Sequence, residues 1–562
     1  MARYALGIDY GTNTCRALIV DLADGAEIAT AVLPYRSGED GILLDPGDPN
    51  LARQNPADYV DALAVVPAAI RGAKKKSRVF DPGDVVGIGI DTTGSTPMPV
   101  DKSGTPLALL PKFKKNLNAM AWLWKDHTGH AEAAEITDLA ARTRPYYLAR
   151  CGGTYSSEWF WSKILHCKRV APDVFRAAHS FVEHCDYMPA LLAGNTRPES
   201  IVRSVCAAGH KAMYSDEWGG LPDEEFLATV DPSLAALRGR LYAKAVPADH
   251  LAGRLAKPWA KRLGLRPGIP IAVGAFDAHL GAVGSGIREG TLVKILGTST
   301  CDMLVLPRHK RLAPIPGVCG IVDGSILPGF YGIEAGQSAV GDIFLWFVQQ
   351  LVPERYGRTV DQRFRRLGAL AARQQPGRHG LLALDWNNGN RCILVDPRLT
   401  GLIVGQTLHT RADEIYRALI EATAFGALTI IRRIEEHGLA VEEIVNCGGL
   451  AVKNPLLMQV YADVTGRPMK VARSEQACAL GAALVGAVAA RAFPDVPAAQ
   501  AAACAVREEV FQPDPGRHAV YMELYKLYSQ LHDAFGTAAW SGRMANVMKE
   551  LTALRDRRRR SQ

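Results

Sequence analysis

The stretches GTNTC at residues 11–15 and GTSTC at residues 297–301 share one pattern, and the chain around each of them is also alike. Each stretch follows an apolar run typical of a β-strand and precedes a second such run. Turns of this composition present backbone N–H groups and hydroxyls, which suit the oxygens of a phosphate. Two such units, far apart in the chain, indicate two related domains that face each other. A cleft with one turn on each side is one way to hold a nucleoside triphosphate. Similar strings also occur in ordinary hairpin turns, so the pattern needs support from elsewhere in the chain.

The composition is that of a globular protein with several domains. The chain has 562 residues, 48% hydrophobic and 7% aromatic, and at roughly 100–200 residues per domain this predicts two to four domains. The 11 cysteines form no Cys-x-x-Cys pair, which argues against a zinc site and against a disulfide framework. The N-terminus lacks a signal-peptide pattern, and the longest apolar stretch, residues 478–490, is too short to cross a membrane. We therefore expect a cytoplasmic protein with no membrane partner.

The positive net charge is concentrated at the C-terminus. Residues 555–560 carry five arginines and one aspartate, which is +4 of the total +8. Such a run is typical of a solvated chain end, so we expect residues 546–562 to be a disordered basic tail with no nucleic-acid partner. The alternative is a nucleic-acid binder that uses this tail, and it predicts salt-sensitive binding to DNA or RNA.

Strand-like runs alternate with helical patterns along most of the chain, which indicates an α/β architecture. Predicted strands at residues 85–91 and 270–275 each end close to an aspartate, Asp91 and Asp277. In open α/β sheets, ligands bind at the carboxyl ends of the strands. The glycine-rich segment 281–290 is the expected hinge.

This hinge divides a first domain, residues 1–285, from a second domain, residues 286–545. For the second domain we expect a helix at 412–437, a strand at 443–447 and a buried, closely packed helix at 478–490.

Several residues suit the transfer of a phosphoryl group. Asp9, at the end of the first predicted strand, could hold Mg²⁺ through water, and Arg16 could reach phosphate oxygens. Asp277 is the best candidate for a general base, because phosphoryl transfer to an alcohol needs a carboxylate that orients the hydroxyl and accepts its proton. Asn454 fits a helix N-cap as well as it fits a ligand contact. The chain has no P-loop motif, and no Gly-x-Gly-x-x-Gly follows a strand, so neither of those nucleotide sites is supported.

Longer stretches resemble the FGGY carbohydrate kinases, within the superfamily that includes actin and hexokinase. The resemblance covers about residues 4–545 and is carried by DTTGSTP at 91–97, LWKDHT at 123–128, GTYSSEWFW at 153–161, GHK at 209–211, WGGLP at 218–222, GAFDAH at 274–279, GTSTCD at 297–302, EAGQS at 334–338 and DWNNGNR at 385–391. It implies an α/β fold in which two actin/hexokinase-like (ribonuclease H-like) domains flank a deep catalytic cleft.

The resemblance also implies a division of labour within the cleft. Asp277 would be the catalytic base and would also bind the sugar. The other sugar contacts would be Trp124, Lys211 and Glu334, with Ser95 and Thr96 lining the same pocket. The nucleotide contacts would be Asp9, Gly11, Thr12 and Arg16 in a first phosphate loop, Gly297, Thr298 and Ser299 in a second, and Gly448, Gly449 and Asn454 around the adenosine. Asp9 would hold Mg²⁺ through water.

The activity that the resemblance implies is ATP-dependent phosphorylation of L-ribulose at its C5 hydroxyl, as in L-arabinose catabolism. One alternative is a kinase of the same family for D-ribulose, ribitol or xylulose. Another is an actin-like, nucleotide-switched binding or filament protein without phosphotransfer, which would need neither Asp277 nor a sugar pocket. The expected partners are the sugar and MgATP, and a homodimer is left open. The spacing of His127, His210 and His279 fits no zinc motif, so structural or supporting roles are expected for them.

Overall fold

The computed structural model describes residues 3–560 and consists of two large sheets with helices packed around them. The strands are β1 (Tyr4–Tyr10), β2 (Thr14–Asp21), β3 (Glu27–Pro34), β4 (Leu43–Asp45), β5 (Asp48–Gln54), β6 (Val85–Thr92), β7 (Pro97–Val100), β8 (Ala121–Trp122), β9 (Ser180–Glu183), β10 (Arg203–Ser204), β11 (Ala245–Val246), β12 (Leu251–Arg254), β13 (Pro270–Ala272), β14 (Ala275–Phe276), β15 (Thr291–Leu296), β16 (Thr300–Pro307), β17 (Gly320–Asp323), β18 (Phe330–Ala335), β19 (Leu382–Leu384), β20 (Leu402–Val404), β21 (Glu443–Cys447) and β22 (Met469–Val471).

The α-helices are α1 (Pro56–Ala62), α2 (Val65–Lys76), α3 (His130–Thr143), α4 (Pro145–Ala149), α5 (Phe160–Val170), α6 (Pro172–Ala177), α7 (His184–Ala193), α8 (Val205–Lys211), α9 (Glu224–Val230), α10 (Pro232–Arg238), α11 (Lys257–Leu263), α12 (Asp277–Gly284), α13 (Gly341–Gln350), α14 (Val360–Ala372), α15 (Ala412–Glu436), α16 (Gly449–Lys453), α17 (Pro455–Thr465), α18 (Ala477–Ala489), α19 (Val496–Ala503), α20 (Pro515–Gly536) and α21 (Val547–Arg560). None of the helices within residues 3–560 has both the length and the apolar character that crossing a membrane requires.

The two large sheets repeat one arrangement. The first has the order β12-β13-β6-β1-β2-β3, with β14 also paired to β6, and the second has the order β17-β18-β16-β15-β21-β22. In each, the repeated motif is the turn of an antiparallel hairpin, β1–β2 or β15–β16. In each, the first strand of that hairpin also pairs with a later parallel strand, β6 or β21. The prediction of two related α/β units is confirmed.

Helix α18 comes late in the chain but packs on the first sheet, against β1 and β6, and against α12. Glycines allow these close approaches. A Cβ added at Gly7 would lie 1.8 Å from the carbonyl oxygen of Ala479, and one at Gly481 would lie 1.8 Å from that of Leu280. The helix is buried and closely packed, as expected, and it joins the later part of the chain to the first sheet.

The first part of the expected hinge at residues 281–290 lies in a helix. Gly281 and Gly284 lie within α12, and a Cβ at Gly284 would lie 2.0 Å from a carbonyl oxygen of α18. Gly286 and Gly290 have positive φ angles of 79° and 78°. The first two glycines therefore serve helix packing, and the last two shape the turn that leads into β15.

The expectation of a disordered tail is wrong for residues 547–560, which form α21; residues 561 and 562 lie outside the described part of the chain. Val547, Leu551 and Leu554 are buried. Their spacing of four and three residues places them on one face of a helix, with the arginines around it. Arg557 also forms an ion pair with Glu523, at 2.6 Å. The arginine run obscures this apolar stripe in the sequence.

Candidate active site

Three aspartates approach one another at one edge of the first sheet. Asp9 in β1 pairs in register with Asp91 in the neighbouring parallel strand β6. Asp277 opens helix α12 directly after β14, which also pairs with β6. Because these parallel strands end at the same edge, the fold brings three carboxylates into one electrostatic cluster.

Asp277 has the environment of a general base. It is half-buried, and burial together with the charge of Asp9 raises its pKa to about 7. The backbone N–H of Ala278 donates a hydrogen bond to its Oδ1 at 2.7 Å and orients the carboxylate. A carboxylate with a pKa near neutrality can accept a proton and release it again at neutral pH.

Asp91 is a member of this cluster to which the sequence analysis assigned no role. Both of its carboxylate oxygens are buried and have no hydrogen-bond partner within the described structure. Burial, followed by the charges of Asp9 and Asp277, raises its pKa well above the usual range. Asp9, by contrast, accepts a hydrogen bond from Arg16 at 2.8 Å. The available signal was the place of Asp91 at the end of a strand, inside one of the family-like stretches.

Each of the two glycine-containing turns is closed by a hydrogen bond from its glycine N–H. The N–H of Gly11 donates to the carbonyl oxygen of Thr14 at 3.0 Å, and the N–H of Gly297 donates to that of Ser299 at 3.0 Å. In the second turn, Gly297 and Thr298 are exposed. Both turns are therefore compact, and their binding of phosphate oxygens stays a prediction.

Gly448 places a third loop against the second turn. Its φ is 92°, and an added Cβ would lie 2.4 Å from the carbonyl oxygen of Leu296, just before that turn. Gly449 is exposed, and no heavy atom lies within 4 Å of where its Cβ would be. Asn454 accepts a hydrogen bond from the N–H of Leu457 at 3.1 Å and so caps α17. The N-cap interpretation of Asn454 is confirmed, and its contact with adenosine stays a prediction.

Lys211 and Glu334 form a buried ion pair, with Lys211 Nζ 3.1 Å from Glu334 Oε1. Burial alone would raise the pKa of Glu334, but the Lys211 ammonium outweighs this effect and holds the pKa well below its usual range. Burial lowers the pKa of His279 to about 4 and that of His210 well below its usual value, so both imidazoles are neutral at pH 7. The Lys211 ammonium also lies 5.5 Å from the centre of the Trp159 ring.

Trp124 connects the expected sugar side to the first phosphate loop. It is half-buried, and its Nε1–H donates to the hydroxyl of Thr12 at 3.1 Å. The indole also packs against a small apolar cluster formed by Ile42, Ala52 and Leu123.

Ser95 and Thr96 are held inside the protein. The Ser95 hydroxyl donates to Glu183 at 2.6 Å, and the backbone N–H of Thr96 donates to the same carboxylate at 2.7 Å. Lys163 Nζ donates to the carbonyl oxygens of Ser95 and Leu123 at 2.9 and 2.8 Å. Burial lowers the pKa of Lys163 and raises that of Glu183. The hydroxyl proton of Ser95 is therefore already engaged in the hydrogen bond to Glu183. Lys163 and Glu183 support the position of Ser95, and no pattern in the sequence pointed to their role.

A cavity of about 240 Å³ opens next to His210 and Trp159 rather than next to Asp277. Its wall is built by residues from both halves of the chain. It carries three carboxylates and two guanidinium groups: Asp216, Glu217, Asp323, Arg150 and Arg308.

Comparison with known proteins identifies the family. Residues 4–284 match the N-terminal domain and residues 292–490 the C-terminal domain of the FGGY family of carbohydrate kinases. The chain is 44% identical over 552 residues to a protein named ribulokinase from Geobacillus thermodenitrificans, covering 95% of each chain. It is 43% identical over 572 residues to a ribulokinase from Shouchella clausii, covering 99% of each.

Solved structures agree on the fold. A xylulose kinase from Rhodospirillum rubrum superposes with a TM-score of 0.76 at 23% identity, covering 95% of this chain and 99% of that one. A gluconate kinase from Lactobacillus acidophilus gives a TM-score of 0.76 at 18% identity, covering 96% and 99%. The family matches span both halves of the chain, and the relatives match it over nearly its whole length. This protein therefore belongs to the FGGY family of carbohydrate kinases and is a sugar kinase.

Proposed function

We propose that this kinase transfers the γ-phosphoryl group of ATP to the C5 hydroxyl of L-ribulose, giving L-ribulose 5-phosphate and ADP. The observation that carries the proposal is Asp277, a half-buried carboxylate with a pKa of about 7. Its carboxylate interacts electrostatically with Glu334, which is itself paired with Lys211. The choice of L-ribulose rests on the relatives named ribulokinase, which match the whole chain.

In the proposed reaction, Asp277 accepts the proton of the C5 hydroxyl while the hydroxyl oxygen attacks the γ-phosphorus in line. The bond between the γ-phosphorus and the bridging oxygen breaks, and ADP leaves with that electron pair. Lys211 donates to the keto or a hydroxyl oxygen, and Glu334 accepts from hydroxyl groups. Trp124 covers the apolar face of the sugar, and Ser95 and Thr96 line the wall behind it.

The acidic cluster fits a hydrated Mg²⁺ ion. Asp91 offers two buried oxygens without partners, and Asp9 lies next to it in register. Magnesium keeps several waters and uses few carboxylates, so Asp9 would hold it through water with Asp91 alongside. When bound, Mg²⁺ neutralises charge on the phosphate oxygens of ATP.

The nucleotide would lie against the three loops. Arg16 and the turn at residues 11–12 would bind phosphate oxygens from one side, and Gly297, Thr298 and Ser299 would bind them from the other. Gly448 and Gly449 would let the backbone approach the adenosine, with Asn454 at its edge.

We also propose that residues 1–285 and 286–545 form the two lobes around the cleft. Closure of the lobes over sugar and MgATP would exclude water and so limit wasteful hydrolysis of ATP. The reaction uses ATP and a small sugar as its partners, which fits a cytoplasmic enzyme.

The test is a coupled assay of ADP release with MgATP and, in turn, L-ribulose, D-ribulose, ribitol, L-xylulose, D-xylulose and no sugar. We expect the highest kcat/KM with L-ribulose and little turnover without sugar. A clear preference for another of these sugars would keep the assignment as a sugar kinase and change the assigned substrate to that sugar. No sugar-stimulated turnover from a folded, ATP-binding protein would refute the proposal.

A further inference from the structure

Three side chains that commonly bind metals converge behind the expected sugar pocket. His210, His279 and Glu334 are all buried, and one ligand atom from each lies within 4.8 Å of the others. His210 Nδ1 lies 3.3 Å and His279 Nε2 lies 3.5 Å from the same oxygen, Oε2 of Glu334. Around a tetrahedral Zn²⁺ ion with bonds of about 2.0–2.1 Å, neighbouring ligand atoms are about 3.3–3.4 Å apart. The two distances to Glu334 are therefore those of neighbouring zinc ligands.

Three of the four ring nitrogens of His210 and His279 lack a hydrogen-bond partner within the described residues. Within residues 3–560, Nδ1 of His210 and both ring nitrogens of His279 are buried without a hydrogen bond. Buried polar atoms are rarely left in this state, so each such group calls for a ligand or another explanation. His210 Nε2 lies 2.9 Å from the hydroxyl of Ser325, which turns Nδ1 towards Glu334. Metal-bound histidines are typically oriented by a hydrogen bond at their other nitrogen.

One cation, the Lys211 ammonium, already lies beside this cluster. Lys211 Nζ lies 3.1 Å from Oε1 of Glu334 and 3.4 Å from Oε2, so its ammonium sits nearer the oxygen that faces away from the histidines. The cavity of about 240 Å³ reaches His210. Its three carboxylates outnumber its two guanidinium groups, which favours the entry of a cation.

We propose that His210, His279 and Glu334 form a site for a divalent transition-metal ion, Zn²⁺ or its analogue Co²⁺, and that occupancy of this site inhibits sugar binding. Imidazole ligands suit zinc and cobalt, whereas Mg²⁺ prefers oxygen ligands. Metal binding is independent of the reaction. The inhibition rests on the proposed function, because a metal ion bound to Glu334 would prevent this carboxylate from accepting hydrogen bonds from the sugar.

The binding test uses the full-length, metal-free protein with Co²⁺ alone, in the absence of sugar and ATP. We expect a visible absorption band of tetrahedral cobalt that saturates at a single ion per chain and disappears when Zn²⁺ is added. His279→Ala should weaken binding by at least about 10- to 100-fold. His250→Ala is the matched control, since the His250 side chain is 53% exposed and pairs with the neighbouring Asp249. It should leave binding unchanged.

Absence of the cobalt band, or equal affinity in wild type and His279→Ala, would overturn the site. His279→Asn, compared by Tm and by cobalt titration, covers the case in which the alanine variant does not fold. Asp277→Asn should lose turnover and keep the cobalt band, so failure of the proposed function and failure of the metal site give different results.

The inhibition is measured with Zn²⁺ added to the sugar-dependent assay at saturating MgATP. The KM for L-ribulose should rise while kcat is unchanged, and His279→Asn should remove this rise. Inhibition that more sugar does not relieve, or that persists in His279→Asn, would overturn the competition between metal and sugar.

Discussion

Replacing Asp277 with asparagine should abolish most of the turnover and, at the same time, stabilise the protein. Asparagine has nearly the same shape and can still accept the hydrogen bond from the N–H of Ala278, but it cannot accept a proton. Loss of a general base typically costs about 10²- to 10⁴-fold in rate, which corresponds to about 3–5 kcal/mol of transition-state stabilisation.

The gain in stability follows from the raised pKa of Asp277, which moves from its ordinary value of 3.8 to about 7 on folding. Below pH 3.8 the carboxyl is protonated in both the folded and the unfolded chain, so it does not change the free energy of unfolding. As the pH rises towards 7, the unfolded chain ionises while the folded protein keeps the proton, so the wild type loses stability. The loss is complete above pH 7 and reaches about 4 kcal/mol, an upper limit because Asp277 is partly exposed. Asparagine does not titrate and avoids this loss.

The assay is the Tm of the ligand-free protein at pH 5 and pH 8. Asp277→Asn should raise the Tm at both values, and the gain in free energy should be about two to three times larger at pH 8. Asp138→Asn, which changes an exposed carboxylate in α3, should show no such difference. A Tm gain that is absent, or that does not grow with pH, would refute the raised pKa, and unchanged kcat would refute the role as base. In the wild type, kcat/KM should fall as the pH drops below about 7.

Three further substitutions test the packing around the cleft. Gly448→Ala should lower the Tm and raise the KM for ATP, because the φ of Gly448 is 92° and the new Cβ would lie 2.4 Å from a strand carbonyl oxygen. Gly449→Ala has open space around its new Cβ and should keep the wild-type Tm. Equal Tm changes in the two variants would contradict this reasoning. Lys163→Met should destabilise the protein by about 1–3 kcal/mol and raise the KM for the sugar, because three buried carbonyl oxygens lose their donor. A Tm like that of the wild type would count against this prediction. Gly481→Ala should lower the Tm strongly, since the new Cβ would lie 1.8 Å from a carbonyl oxygen of α12. Gly368→Ala, in α14 with open space around the new Cβ, should stabilise the protein by about 0.5–1 kcal/mol. Similar Tm changes for both variants would show that α12 and α18 can move apart freely.

Local structure was predictable where one segment carries its own signal. The expected strand at residues 443–447 is β21, and the helix expected at 412–437 ends one residue earlier in the structure, at Glu436. The apolar, glycine-rich composition of α18 predicts burial, but it does not say which sheet the helix covers. The glycines of α12 look like a hinge because the sequence does not reveal that another helix lies against them. In each case the missing information is a contact between distant parts of the chain.

In the candidate site, too, residues at strand ends were predictable from the sequence, and contacts between distant residues were not. Asp277 and the two phosphate turns stand at strand ends, where sequence patterns point to ligands. Asp91 has a comparable position, yet its importance comes from having Asp9 next to it in register. The support of Ser95 by Glu183 and Lys163 joins residues that are separated by 88 and 68 positions. Such partners could not be found from spacing.

The crossing of α18 onto the first sheet has a consequence for synthesis on the ribosome. Apolar side chains from the first sheet, the second sheet and α18 form one cluster, which includes Ala5, Val293 and Leu480. The face of β1 and β6 that α18 covers stays bare until residue 489 has left the exit tunnel. The first sheet therefore cannot complete its packing during most of synthesis, and its apolar face stays exposed to chaperones. An N-terminal fragment ending near residue 285 should aggregate unless α18 is supplied as a separate peptide.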